Sequence, residues 1–266
     1  MINRSYLFVP GNRPERFDKA CASGAHVVVL DLEDAVTPES KDEARAKIQA
    51  WLAEGGQAYV RINGLDSDWF EADCALLSGQ GVRGVMLPKA DDRAQVEALA
   101  ERCPAGMALV PLIESAIGLR NAFDIGRVEA VTRLAFGSVD FQVDAGIECD
   151  DEGLLYARSK LVIDSRAAGI EAPIDGVTLA VKDAEAVGRD VARARDIGLG
   201  AKLCIHPAQV ASVNQGFLPS AEELEWAGEV IEALDAADGV ATHKGKIIDK
   251  PVIDRAHRIM AGRASA

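Results

Sequence analysis

Glu114 in PLIES and Asp140 in GSVDF each follow a short apolar run. Two carboxylates brought together there would either raise one another's pKa or hold a cation between them. A hard divalent ion suits such a pair, and Mg²⁺ commonly takes one or two protein carboxylates while leaving other positions to water and substrate oxygens. The plainer alternative is that each acid caps the helix that follows, as the Glu-Ser of LIES could. Asp31, Glu33 and Asp34 of LDLED bring further acids. Period-two alternation sends Asp31 and Glu33 to one side, where they could hydrogen-bond the waters of a nearby cation and hold its ligands in place; a solvated acidic turn accounts equally well for Asp34. Arg61 in VRIN is a permanent cation inside a strand and requires a carboxylate partner. That partner is either Glu33 or Glu114, or a substrate carboxylate held in a bidentate clamp, and the strand-end position favours the substrate.

Lys89 in MLPK would open a Schiff-base aldolase route if desolvated, because an amine at a barrel mouth can attack a carbonyl. Asp91 and Asp92 directly after it favour a charged, ion-paired lysine instead. Cys204 and His206 lie two apart in one apolar run with no evident partner for thiolate chemistry, and read as a core thiol and a structural imidazole. Neither glycine-loop signature for phosphate occurs in the sequence; Arg13 and Arg16 around PGNRP could still attract a phosphate, although surface arginines at a helix start are common.

All these residues need elements that converge. Eight apolar runs, SYLFVP, HVVVLDLED, AYVRIN, GVMLPK, ALVPLIES, LAFGSVD, APIDG and KLCIHP, alternate with helical patterns and no linker intervenes. The pattern predicts a (β/α)8 TIM barrel over residues 1–216, with strand ends opening onto one face that gathers Asp31, Glu33, Asp34, Arg61, Asn63, Lys89, Glu114, Asp140, Asp175 and His206. Strand seven is expected near Ile174 to Val177, and the longer step before it, Phe141 to Glu152, as a mouth loop. Residues 217–266 lie outside the eightfold count and read as a helical appendage, opened by a capping box at Ser220 and Glu223.

At 266 residues, 48% hydrophobic and 27% charged, the chain has the composition of a soluble protein with a large core. Its apolar runs are too short to span a membrane, and the stretch before Pro10 is too short for a signal peptide, so a cytoplasmic location is expected. A net charge of −13 argues against nucleic acid or an anionic membrane as partner. Cys21, Cys74, Cys103, Cys149 and Cys204 are odd in number and widely spread, the pattern of reduced thiols rather than a disulfide framework or zinc site.

Taken in order, RSYLFVPGNRPERFDKA, VVLDLEDAV, YVRINGLD, GVMLPKAD, PLIESAIGL, LAFGSVDF, CIHPAQV and GKIIDKPVIDRA resemble the citrate lyase beta-subunit-like and malyl-coenzyme A lyase family over almost the full chain. The resemblance implies a Mg²⁺-dependent carbon–carbon lyase acting on a 3-hydroxyacyl-CoA thioester, releasing an oxo acid and an acyl-CoA. It makes Glu114 and Asp140 the metal ligands, Arg61 the group that meets the oxo acid, and Glu33 and Asp34 supports for the metal waters. Asp249 of IIDKP matches a catalytic Asp delivered from a neighbouring subunit, which implies a homo-oligomer, a trimer or hexamer, whose appendage serves as a lid. Arg13 is the candidate for a coenzyme A phosphate contact. Two alternatives stay open: an acyl-CoA thioesterase in the same pocket, and a beta subunit of a multisubunit citrate lyase.

Overall fold

The computed structural model describes residues 2–149, 151–236, 242–244 and 246–264, with residues 263 and 264 described by their backbone alone. In chain order the elements are β1 (Ser5–Pro10), α1 (Phe17–Cys21), β2 (Val27–Asp31), α2 (Lys41–Ala53), β3 (Ala58–Arg61), α3 (Phe70–Leu76), β4 (Val82–Leu87), α4 (Arg93–Ala100), β5 (Ala108–Ile113), α5 (Ala116–Gly126) and β6 (Arg133–Phe136). They continue with α6 (Ser138–Ala145), α7 (Asp151–Ala168), β7 (Glu171–Asp175), α8 (Ala184–Ile197), β8 (Ala201–Cys204), α9 (Val210–Gly216), α10 (Ala221–Asp235), β9 (Thr242–His243), β10 (Lys246–Ile247) and α11 (Lys250–Ala264).

Strands β1 to β8 pair in parallel, each with its sequence neighbour, and β1 closes on β8 through Ser5 beside Lys202. This is the predicted (β/α)8 barrel. The alternation of the pleat decides what lies inside it. Tyr6, Val27, Val29, Met86, Val110, Leu112, Ala135, Ile174, Ala201 and Leu203 fill the interior. Tyr6 and Tyr59 meet edge to face there, at 6.1 Å between ring centroids.

The same alternation corrects the expectation for Asp175. With Ile174 inward, Asp175 points outward, where it is fully buried between Arg158 of α7 (2.8 Å) and Lys202 of β8 (2.9 Å). Strand β7 also runs Glu171–Asp175, earlier than expected. The expected mouth loop is largely helical: α6 extends through Ala145, Gly146 ends it in the left-handed conformation (φ 66°), and α7 begins at Asp151. Phe141 drives this, packing against Phe136 at 5.3 Å, because a buried aromatic contact gives that stretch a core-facing side.

The chain divides into two compact units, residues 3–214 and the segment from Gln215 onward together with residues 1–2. In the second unit α10 and α11 bury Ala227, Val230, Ile248 and Ala256, and Ser220 opens α10 with the expected reciprocal cap to Glu223. No helix among the described residues is long and apolar enough to cross a membrane.

Candidate active site

The mouth is organised around one buried ion pair. Asp31 ends β2, Arg61 ends β3, and the two are register partners. Nε and one terminal nitrogen of Arg61 donate to the two Asp31 oxygens at 2.7 and 2.6 Å. The Glu33 and Ala35 amides donate to the same carboxylate. The remaining terminal nitrogen of Arg61 lies 2.9 Å from Glu33, and the guanidinium stacks over Phe8 at 4.8 Å. Burial works against the Arg61 charge, but Asp31 and then Glu33 and Asp34 overcome it and hold its pKa above the ordinary value. Arg61 thus has protein partners, and it also lines a small cavity at the mouth.

Glu33 joins this pair to a second cation. Its other oxygen accepts from Lys89 Nζ at 3.2 Å, while Asp34, exposed, stands 3.7 Å from Arg61. Burial raises the Glu33 pKa despite Arg61. Beneath it the Lys41 ammonium is buried, donating to the Leu32 and Glu33 carbonyls and to Asn63 Oδ1, and Asn63 is tied in turn to Asp73. These residues support the floor of the site.

Glu114 follows β5 and turns inward at 5% exposure. Among the described residues its one hydrogen bond comes from the Lys89 main-chain N–H to Oε1, at 2.7 Å. It caps no helix: Ser115 does that for α5, accepting from the Gly118 amide. Asp140 is not on a strand end. Gly137 turns directly from β6 into α6, which places Asp140 in the first helical turn, exposed. Glu114, Gly137, Ser138, Asp140 and Arg61 line one cavity of about 60 Å³ walled by Phe8, Leu112 and Leu203.

Whether a divalent cation fits here can be judged from Glu114. Burial, then Glu33, push its pKa up to about 8; the Lys89 amide opposes this and Asp140 adds to it. Among the described residues no ammonium or guanidinium reaches it within ion-pair distance, since Arg61 is engaged with Asp31 and Glu33 and Lys89 with Glu33. A buried carboxylate without a counter-ion is costly unless a cation is bound or a proton is taken up. Gly137 supplies the room: a Cβ there would stand 2.6 Å from Glu114 Oε2 and 2.5 Å from its Cβ. No group of three or more His, Cys, Asp or Glu side chains among the described residues is arranged to hold a metal. Glu114 and Asp140 on one cavity fit an ion that accepts two protein carboxylates and fills its other positions from water or substrate, as Mg²⁺ does.

A broader cleft of about 680 Å³ opens beside Glu33, lined by Lys89, Asp91, Thr37, Asp66 and Trp69. A groove of about 310 Å³ lies among β1, α1 and the residues that follow β8, bordered by Phe8, Arg16, Lys19 and His206. Arg13 is exposed at the turn before it. His206 caps the following turn by accepting from the Ala208 amide, and burial lifts the Cys204 thiol to about 12. Asp249 belongs to the second unit, where its carboxylate accepts from the Val252 amide at the start of α11.

Of the protein partners expected for Arg61, Glu33 pairs with it and Glu114 does not, Asp31 was not among them, and nothing had been assigned to Phe8, Gly137 or the Lys89 main chain. Asp31 was within reach as the period-two companion of Glu33, but the register that sets it beside Arg61 is a property of the folded sheet.

Comparison with known proteins places this barrel among relatives of known name. Residues 4–207 match the family model described as HpcH/HpaI aldolase/citrate lyase. A citrate lyase subunit beta-like protein of Deinococcus radiodurans is 34% identical over 98% of this chain and 97% of its own. A (3S)-malyl-CoA thioesterase of Cereibacter sphaeroides is 31% identical over 97% of this chain and 93% of its own. The crystal structure of CitE from Mycobacterium tuberculosis in complex with magnesium, acetoacetate and coenzyme A superimposes with a TM-score of 0.87 at 30% identity, covering 99% of this chain and 98% of that one. With a barrel, an acid pair and an arginine in the mouth, and this likeness along nearly its whole length, the chain belongs to the HpcH/HpaI aldolase/citrate lyase family.

Proposed function

We propose that the protein is a cytoplasmic, Mg²⁺-dependent carbon–carbon lyase that cleaves a 3-hydroxyacyl-CoA thioester of the malyl, citramalyl or citryl type into an oxo acid and an acyl-CoA. The observation that carries the reading is the buried Glu114 carboxylate, uncompensated beside Asp140 in a cavity that Arg61 also lines. Glu114 and Asp140 would hold the ion, which when bound supplies Lewis-acid stabilisation of developing negative charge on substrate oxygens. Arg61, fixed by Asp31 and Glu33, presents its guanidinium edge to the oxygen that becomes the carbonyl of the oxo acid. Glu33 and Asp34 orient water around the acid pair. In the cleavage the hydroxyl proton passes to water, the O–H electron pair forms the carbonyl, the carbon–carbon bond breaks, and its electrons pass to the thioester enolate, whose carbon takes a proton. Asp249 of a second copy in a homo-oligomer, a trimer or hexamer, is our candidate for handling that proton, and Arg13 for meeting a coenzyme A phosphate.

Thioester hydrolysis is the second reading, favoured by the thioesterase names among the relatives. There water adds across the carbon–sulfur bond and yields an intact hydroxy diacid and free thiol. A beta-subunit role follows instead from the citrate lyase subunit beta of Leuconostoc mesenteroides, 32% identical over 97% of this chain. Mass spectrometry of the products from malyl-CoA and citramalyl-CoA with Mg²⁺ separates these. Oxo acid plus acyl-CoA supports the lyase, hydroxy diacid plus free coenzyme A the thioesterase, and turnover only on an acyl-carrier thioester with partner chains the subunit.

A further inference from the structure

Lys89 is one of two non-glycine residues with positive φ among the described residues, at 50°. The left-handed region is sterically unfavourable for a side chain with a Cβ, and such strain persists where the surroundings over-determine it. Here they do. Pro88 precedes, Lys89 N–H turns into the mouth to Glu114 Oε1 at 2.7 Å, and the next amide, Ala90, returns to the Leu112 carbonyl of β5 at 3.2 Å. Asp91 then accepts from Ser115 through its side chain and from Asn121 through its main chain. The segment 89–91 is thereby stitched to the start of α5 and to β5, the strand that leads into Glu114. A right-handed residue at 89 would not satisfy the amides of 89 and 90 together in this way.

With Oε1 occupied, the other oxygen of Glu114 lies against Gly137, at the head of the helix that carries Asp140. We propose that Lys89 is a positioning residue: its left-handed main chain presents the N–H that holds Glu114 Oε1, leaving Oε2 as the oxygen offered to a cation beside Asp140. The ammonium is a separate matter, since its side chain is 63% exposed and reaches Glu33 rather than Glu114.

Two measurements test this, and only the second rests on the Mg²⁺ reading. In ¹⁵N-labelled, metal-free protein the residue-89 amide proton resonates downfield, exchanges slowly, and moves upfield in Glu114→Gln. An amide indifferent to Glu114→Gln overturns the proposal. In the second, Mg²⁺ affinity is taken by calorimetry for Lys89→Met, Lys89→Val and Lys89→Gly, all lacking the ammonium. The β-branched variant resists the left-handed conformation and weakens Mg²⁺ at least about tenfold relative to Lys89→Met, whereas Lys89→Gly, which adopts it freely, binds at least as well as Lys89→Met. Equal affinity of the valine and methionine variants overturns the proposal, because a merely structural lysine would lower the melting temperature without this split. Wild-type protein that binds no Mg²⁺ while its residue-89 amide still responds to Glu114→Gln sinks the proposed lyase and leaves the positioning contact standing.

Discussion

Asp31 and Arg61 stand opposite each other in the β2–β3 register and are joined by two hydrogen bonds of 2.7 and 2.6 Å. The arginine at the centre of the mouth is therefore held by its neighbour strand before any substrate arrives. A fork gripped by Asp31 and by Glu33 cannot rotate away, so the guanidinium borders the cavity without further loss of side-chain freedom.

Removing Asp31 leaves a buried guanidinium with Glu33 as its remaining close carboxylate. Asp31→Ala should cost about 3–5 kcal/mol, the range for breaking a buried pair from one side. Urea unfolding monitored by circular dichroism checks it, and a loss no larger than that of an exposed pair would contradict the geometry.

Metal-free stability should fall as pH rises. Glu114 has a folded pKa of about 8 against an ordinary value of 4.5. Between those values the folded state binds the extra proton, so its contribution is full below about 4.5 and is lost as pH rises through about 8. In EDTA, Glu114→Gln should flatten that decline and be the more stable protein at alkaline pH. Parallel pH profiles for wild type and variant would contradict it.

Gly137→Ala places a Cβ 2.5 Å from the Glu114 Cβ. Glu114 must then move, and cleavage activity should drop at least about a hundredfold, as misplacement of a catalytic group by about 1 Å does. A far-ultraviolet spectrum unchanged from wild type would show that the barrel survives. Full activity would remove Gly137 from the site.

Asp175 predicts the opposite pH behaviour. Burial favours its neutral form, but Lys202 and then Arg158 outweigh burial and hold the pKa below the ordinary 3.8. Its stabilisation is present above that value and is lost as pH falls through the folded pKa. Asp175→Asn should be less stable than wild type by about 3–5 kcal/mol at neutral pH, with the difference shrinking in acid. A constant gap down to the acid transition would argue against the ion pairs.

The barrel was legible because parallel strands buried on both faces read as β-branched runs, as His26 to Leu32 does. Glu114, Arg61 and Glu33 were legible as strand-end groups for the same reason. Asp140 was assigned to the right neighbourhood but to the wrong element, since nothing in GSVDF distinguishes a strand end from a helix that starts one residue after β6. Asp175 failed because one position of pleat exchanges the mouth for the outer face, and strand seven was read a few residues late. Partnerships such as Asp31 with Arg61 depend on cross-strand register, and the role of a backbone amide carries no residue-type signature at all.

Glu33 bridges Arg61, which borders the small cavity, and Lys89, which borders the broad cleft. The linings of the two chambers are thus joined by a relay of alternating charges, so a change of charge at either end is felt at the other through a single buried carboxylate.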